Sequence, residues 1–557
     1  MKISYIYLLV MLLSAEIVHA QMPSVVRDTV NQYDTVVVRL NDTTGSVQWQ
    51  ISSNNGASWS DIPDANDDSV MIIANVNCQI RAAVTAGICN PTWSDYAEIT
   101  VIRPYESLIA EAYEMGRFVC GDFDLCMYKL CVSDLIKKGS FIADQPALNQ
   151  YAGLEDLDAS NSALKTLWDN YYNGLSIANT IIEGNDIDDQ ISGEAYFFRA
   201  YFHKSLIERW DNIVLADTTV PDTVIAEKED VYNLIVSDLD TAIALLDEAT
   251  EAGTVTGISK GVARHLLSLV HMDLQNWTEA AALAIEVINY PAYALLPYTD
   301  IEDVFSVQTQ ENSEIIFSWK NDEYYTQVCS PQLLSVYDRL FGVSRSWEGG
   351  GRPWARIHPS DYYWTLFEES DPRLEAWHKR YWIYDIDDED DPLPEGVSIG
   401  DTVTEENFEG SFEEDFDYYI VPTVKKYWED GTLGRTIFSV EGYRNIIQYR
   451  VSQAYLTAAE AYMKAGDNTT AQEYLDALRS ARNMTSIPVT MDNILDEHAR
   501  ELGLEGHRYP MLKRLGLLYD RVDANPDWTG VIQPYHVRWP IPQSFIDASG
   551  LPQNDGY

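Results

Sequence analysis

The sequence predicts a mainly α-helical chain preceded by a small all-β sandwich. Three observations carry this reading. From about Asp28 to Arg103, apolar and polar residues alternate in short runs separated by turn-rich stretches, the period-two signature of half-buried strands. Past Pro104 the period lengthens to about 3.6 residues over long amphipathic segments, which is the signature of helices. Within the helical part, a helix, a tight turn and a second helix occur around Asn276 and again around Gly466.

Taken in order, residues 1–20 hold Lys2, an apolar run from Ile6 to Leu13 and the small-residue ending Val18-His19-Ala20, the layout of a cleavable secretory signal. The run is shorter than the roughly 20 residues a spanning helix needs, and no later segment comes closer. A mature chain beginning near Gln21 is therefore expected to be exported without a membrane-spanning helix. Residues 21–103 form the β module. Thr35-Val36-Val37-Val38-Arg39 and Ala97-Glu98-Ile99-Thr100-Val101 alternate as strands, and Ser46 to Ile62 (SVQWQISSNNGASWSDI) places Trp49 in the core. This stretch, with CQIRAAVTAGIC and the closing strand near Ile99, resembles the immunoglobulin-like modules of exported bacterial proteins. Six cysteines, at 78, 89, 120, 126, 131 and 329, allow 15 pairings in a compartment that permits disulfides. Cys78 and Cys89 flank a predicted strand and turn, and both a bridge and two separate thiols fit that spacing.

Residues 104–557 form the helical domain. Helices are expected over Ser162–Glu183, Gly193–Trp210, Val231–Leu246 and Gly261–Leu274, with a fifth ending before Pro291. The unit around Asn276-Trp277 and its second copy, Ala454–Ala465, Gly466-Asp467 and Thr470–Arg482, have the small-residue interfaces of tetratricopeptide repeats. Between them, residues 310–443 lack sustained helical periodicity and are crowded with aromatic, glycine and acidic residues. Long excursions of this kind on a rigid scaffold usually carry binding function.

Lys and Arg total 38 against 87 Asp and Glu, a net charge of −49, which repels phosphate backbones and argues against nucleic acid as a partner. With 15 Trp and 35 Tyr the chain is also too aromatic for a disordered acidic protein. No Walker loop or H-E-x-x-H is present, so phosphoryl-transfer and zinc-peptidase chemistry lack their usual signatures, and an enzyme is not expected. His498, Glu501 and His507 suggest a metal site only by type; their spacing suits an ordinary amphipathic helix and its end.

Aromatic residues of the insertion are the better lead. Trp and Tyr offer flat apolar faces with a polar tip, which suits the C–H face of a sugar ring. The candidate ligand-binding residues are Trp347 beside Gly349-Gly350-Gly351, then Trp354, Tyr324 and Tyr325, with Arg345, Arg352 and Asp361 supplying hydrogen bonds to hydroxyls. No cofactor is expected other than calcium, for which Asp385, Asp387 and Asp388 offer clustered oxygens; the spacing is not that of an EF-hand, and a solvated acidic loop is the simpler reading.

Four segments carry a family resemblance. GEAYFFRAYFHKSLIERW (Gly193–Trp210), GISKGVARHLLSLVHMDLQNWTEAAALA (Gly257–Ala284), ILDEHARELGLEGHRYPMLKRLG (Ile494–Gly516) and YHVRWPIPQSFIDASGLPQNDGY (Tyr535–Tyr557) resemble, in family order, segments of the SusD/RagB proteins. The resemblance covers roughly residues 105–557. It implies a helical domain of tetratricopeptide-like repeats with an irregular ligand-binding region. It also implies surface capture of an oligosaccharide, or a peptide, for a TonB-dependent SusC-like outer-membrane barrel. Such proteins are normally lipoproteins, but the first cysteine here is Cys78, so retention at the outer membrane is expected through protein contacts, the β module among them. The alternative is a structural or adaptor subunit of a multi-protein outer-membrane assembly that captures no glycan.

Overall fold

The computed structural model describes residues 24–557 except 26–28, 32–34, 41–44, 54–55, 75–76, 86–90, 103, 122–125, 140–145, 155, 220–223, 249–256, 322–339, 345–355, 410–419, 421, 429–443 and 527–529. The expected secretory signal lies outside them. The chain divides into two compact units, residues 1–108 and 109–557.

In the first unit, strands β1 (Ser24–Val25), β2 (Thr29–Asn31), β3 (Thr35–Arg39), β4 (Ser46–Ser52), β5 (Ser60–Asp61), β6 (Ser69–Ile73), β7 (Cys78–Thr85), β8 (Thr92–Trp93) and β9 (Ala97–Ile102) make two sheets. One runs β1-β3-β6 and the other β2-β9-β7-β4-β5, with β8 added to β7. Alternation along the strands sends Val36, Val38, Val47, Trp49, Ile80 and Ile99 into one shared core, which makes the unit a β-sandwich. Trp49 is fully buried, and its indole N–H donates to the Asp67 carbonyl at 2.9 Å, so its polar tip is satisfied. On the outer face of β7, the Arg81 guanidinium lies 4.1 Å from the ring centres of both Trp59 and Trp93, a cation–π sandwich. Cys78 is buried in the sandwich core, and Cys89 lies outside the described residues.

The second unit is mainly helical. α1 (Pro104–Gly121), β10 (Ile136–Lys138) and α2 (Pro146–Gly153) lead into a stack of α3 (Ser162–Ile182), α4 (Asp189–Trp210), α5 (Lys228–Leu245), α6 (Lys260–Asp273) and α7 (Trp277–Ile288), each packed on the next. α4 begins a turn earlier than its apolar pattern because the Asp188 carboxylate caps it, accepting from the Gln190 N–H at 2.9 Å. At the α3–α4 crossing Gly174 lies flat against Phe202, where a Cβ would collide with the ring.

The insertion contributes short pieces: β11 (Ile315–Trp319), β12 (Ile357–Pro359), α8 (Asp361–Thr365), α9 (Arg373–Ala376), β13 (His378–Lys379), β14 (Thr423–Val424) and β15 (Ile446–Arg450), the last antiparallel to β11. The chain then returns to helices α10 (Val451–Ala465), α11 (Asn468–Ala481), α12 (Met491–Leu502), α13 (Arg508–Arg514), α14 (Leu518–Asp523) and α15 (Gln543–Ser549). α10 stops at Gly466, whose φ of +91° suits glycine, and the Asp467 carboxylate then caps α11 at the Thr470 N–H, 3.1 Å away. α10 packs on α7, so the two helix–turn–helix units meet, with Met272, Ala280, Ala281 and Ala461 between them.

A buried charge network fastens the insertion to α12. Glu501, with no solvent exposure, accepts from Arg482 at 2.8 Å, Arg373 at 3.0 Å and Arg450 at 3.1 Å. Glu314 takes further bonds from Arg450 and Arg482, Glu497 from Arg373 and Arg479, and Glu505 from Arg450 and Lys426. Burying so many charges is tolerable only because each finds several partners. The arginines hold Glu497 and Glu505 down at about 2 despite burial, which alone would raise them.

Candidate functional site

The insertion reaches the helical scaffold through a two-stranded ladder. β10 pairs antiparallel with β12, Lys138 opposite Ile357 and Ile136 opposite Pro359. The ladder is extended at both ends, by the Gly139 N–H on the Arg356 carbonyl and the Ser360 N–H on the Leu135 carbonyl, each at 2.8 Å. Ser360 also caps α8, its hydroxyl accepting from the Tyr363 N–H at 3.3 Å and donating to the Asp134 carbonyl at 2.7 Å. The Asp134 carboxylate is in turn gripped by both arms of Arg508 on α13, at 2.8 and 2.7 Å. Burial, with Lys137 close by, pushes His358 of β12 down to about 3, so its imidazole is neutral.

Beside this ladder an open cleft of about 560 Å³ lies between the end of β10, helix α2 and the loop before α3. Lys138, Asn149, Gln150, Asp156, Ser160 and Asn161 are among its walls. The loop Asp156–Ser162 is polar and turn-forming, and it folds by answering its own backbone. Asp158 accepts from the Ser160 N–H at 2.7 Å, while the Asn161 side chain caps α3 at the Leu164 N–H, 3.1 Å away. The Asn161 amide N–H group then donates to the Ala147 carbonyl at 2.9 Å and the Gln150 side-chain oxygen at 2.8 Å, joining the two walls. The result is a held array of amides, hydroxyls, a carboxylate and an ammonium group. Such an array both donates and accepts, as a ligand rich in hydroxyls requires.

The residues singled out from the sequence fall differently. Tyr324, Tyr325, Arg345, Trp347, Arg352 and Trp354 lie outside the described residues; the described chain resumes at Arg356, on the Gly139 end of the ladder. Asp361 opens α8 with its carboxylate exposed, 3.1 Å from the Lys137 ammonium. Successive strand residues face opposite ways, so Lys137 and Asp361 stand apart from the cleft that Lys138 lines. The three acidic-loop residues each accept from backbone N–H groups, Asp388 within its own turn. Asp385 accepts from the Ser344 N–H at 2.6 Å, Asp387 from the Leu393 N–H at 3.3 Å, and Asp388 from the Asp390 and Asp391 N–H groups at 2.9 and 2.8 Å. Among the described residues no three His, Cys, Asp or Glu side chains are grouped to hold a metal ion. Glu501 is committed to arginines, and Nδ1 of His507 lies 3.3 Å from the Gln453 amide nitrogen. The cleft walls were missed because Asn, Gln and Ser before a helix look like any capping loop; the polar run Asp156–Ser162 was the available signal.

Comparison with known proteins agrees with this architecture. Residues 308–557 match a family model described as the SusD family, and residues 126–272 match one described as starch-binding associating with outer membrane. Residues 27–103 match a domain of unknown function. The chain is 24% identical over 461 residues to the SusD-like protein P25 of Formosa agariphila, covering 72% of this chain and 82% of that protein. It is 36% identical over 118 residues to the starch-binding protein SusD of Bacteroides thetaiotaomicron, 20% of this chain and 21% of that one. Among solved structures, a laminarin-binding SusD-like protein superposes with a TM-score of 0.66 at 21% identity, over 81% of this chain and 99% of that one. Surface glycan-binding protein A from Bacteroides thetaiotaomicron, solved with laminarihexaose, gives 0.65 at 19% identity, over 81% and 98%. With matching segments from residue 126 to the C-terminal tyrosine, the chain belongs to the SusD family.

Proposed function

We propose that this protein captures an oligosaccharide at the cell surface, without chemistry of its own, and hands it to a TonB-dependent SusC-like barrel in the outer membrane. The observation that carries the reading is the polar cleft beside the β10–β12 ladder, whose walls are cross-linked by Asn161 before any ligand arrives. Two relatives are named for starch and for laminarin, and the solved complex holds a glucan oligosaccharide. The matching family description adds association with the outer membrane, and none of the described helices is long and apolar enough to cross one. Trp347 and Trp354, which lie outside the described residues, are proposed as stacking platforms on the chemistry of their rings alone.

The test is calorimetric titration of the purified chain with oligosaccharides of α- and β-glucans. Asn149→Ala and Asp156→Ala, which leave the capping bonds of Asn161 intact, are expected to weaken binding by about 1–2 kcal/mol each. Trp347→Ala is expected to cost about 1–3 kcal/mol. Unaltered isotherms in all three would remove the cleft from the reading. Transfer to a barrel is tested by detergent extraction of the native outer membrane: an equimolar TonB-dependent barrel is expected alongside this chain. A larger assembly lacking one would favour an adaptor subunit.

A further inference from the structure

The second unit holds a separate, partly open space where the two helix–turn–helix units face one another. It is a cavity of about 130 Å³ bounded by α4, α6, the β15–α10 junction and the α12–α13 turn. At the roughly 30 Å³ that a water molecule occupies in the liquid, it has room for about four waters.

Its walls carry four cations, Lys129, Lys204, Arg209 and Arg514, and four carboxylates, Glu208, Asp273, Glu460 and Glu505. Three of the four cations are paired within the wall. Lys204 pairs with Glu208 at 2.5 Å and Asp273 at 3.0 Å, Arg209 with Glu208 at 3.0 Å, and Arg514 grips Glu460 with both arms at 2.8 and 2.7 Å. Glu505 belongs to Arg450 and Lys426. Four cations against four carboxylates leave the wall formally balanced, and a wall so polar repels an acyl chain. Between the ion pairs stand the rings of Tyr171, Tyr201 and Tyr449. His498, buried to all but 6%, also lines the space, and its buried Nδ1 meets no hydrogen-bonding partner among the described residues. Burial, with Arg508, His507, Arg514 and Lys426 nearby, keeps it well below the ordinary histidine range, so it faces the cavity as a neutral imidazole. An unsatisfied neutral donor–acceptor beside aromatic faces and a charge-balanced polar wall suits a small neutral molecule bearing several hydroxyls.

We infer that this cavity is an internal binding site for one neutral monosaccharide, distinct from the surface cleft. It places a single sugar between the repeats, so occupancy tightens the packing of α6 against α10. The inference goes beyond surface capture and stands or falls separately from it.

The experiment is thermal melting of the exhaustively dialysed full chain with glucose, galactose, mannose and xylose, and with glucuronate and glucosamine as charged counterparts. At least one neutral sugar is expected to raise Tm saturably, by about 3 °C at about one hundred times its Kd, while the charged sugars do not. Filling the cavity with Ser205→Leu or, at its half-buried edge, Leu269→Trp is expected to abolish the shift. Asn149→Ala/Asp156→Ala in the surface cleft is expected to keep it, which separates this site from that one. Absence of a saturable shift with every neutral sugar would overturn the inference. So would a shift that survives in whichever filled variant folds, or one that disappears with the cleft variant.

Discussion

Glu501 lies at the centre of the buried charge network with three arginines on one carboxylate, and such a group is costly to disturb. Glu501→Gln keeps the shape but leaves Arg373, Arg450 and Arg482 short of a counter-charge, and is expected to destabilise the second unit by about 3–5 kcal/mol in urea unfolding. Asp361→Ala, which removes an exposed partner of Lys137, is expected to leave the midpoint unchanged. Acid acts on the same groups in a definite direction. His203, His358 and His378 are held neutral, down at about 3, and His265 and His507 at about 4. Each has a folded value below its unfolded 6.5, so the unfolded chain takes up the extra proton and stability falls as pH drops below about 6.5. Glu497 and Glu505, folded at about 2 against 4.5 unfolded, add a second loss between about 4.5 and 2. Urea midpoints measured from pH 8 to 3 are expected to be flat above 7, to decline below 6.5 and to steepen below 4.5; a midpoint that rises on acidification would contradict the assigned directions.

At the scale of elements, the helices depend on close approach as much as on periodicity. Gly174→Ala gains helix propensity of about 1 kcal/mol but drives a methyl group into the Phe202 ring, and overpacking of that kind costs about 1–3 kcal/mol. A net loss of stability is expected, with α3 and α4 retained by circular dichroism. The helices themselves were legible because a 3.6 period needs only local information. Gly193–Trp210 was missed at its start by one turn, since a capping Asp188 carries no hydrophobic signal. The β10–β12 ladder was not legible. Two three-residue strands far apart in sequence have no periodicity to read, and they pair because Asp134, Ser360 and Arg508 bring them together. The cleft therefore escaped sequence reading although its loop residues were in plain view, and spacing alone does not reveal that the Asp385 and Asp388 carboxylates accept backbone N–H groups.

For the whole molecule, two units with separate cores imply separable behaviour. Trp49→Ala removes the largest side chain of the sandwich core and is expected to cost that unit about 3–5 kcal/mol while leaving unfolding of residues 109–557 and glycan affinity unchanged. Calorimetric scanning that shows one transition shifting and the other fixed would support this; a common shift would contradict it. Family membership was visible in four sequence segments, three of which build α4, the α6–α7 pair and the α12–α13 region whose side chains anchor the insertion. What those segments specify is the scaffold. The cleft is formed by intervening loops, and the ligand is a property of those loops.

The most direct measurement is calorimetric titration of the full-length mature chain with laminarihexaose and a maltooligosaccharide of equal length, repeated on Asn149→Ala/Asp156→Ala. Saturable one-to-one binding of at least one glucan, weakened at least about tenfold by the double substitution, is the predicted result. Absence of binding to either glucan, or binding that the substitution leaves untouched, would contradict capture at the cleft.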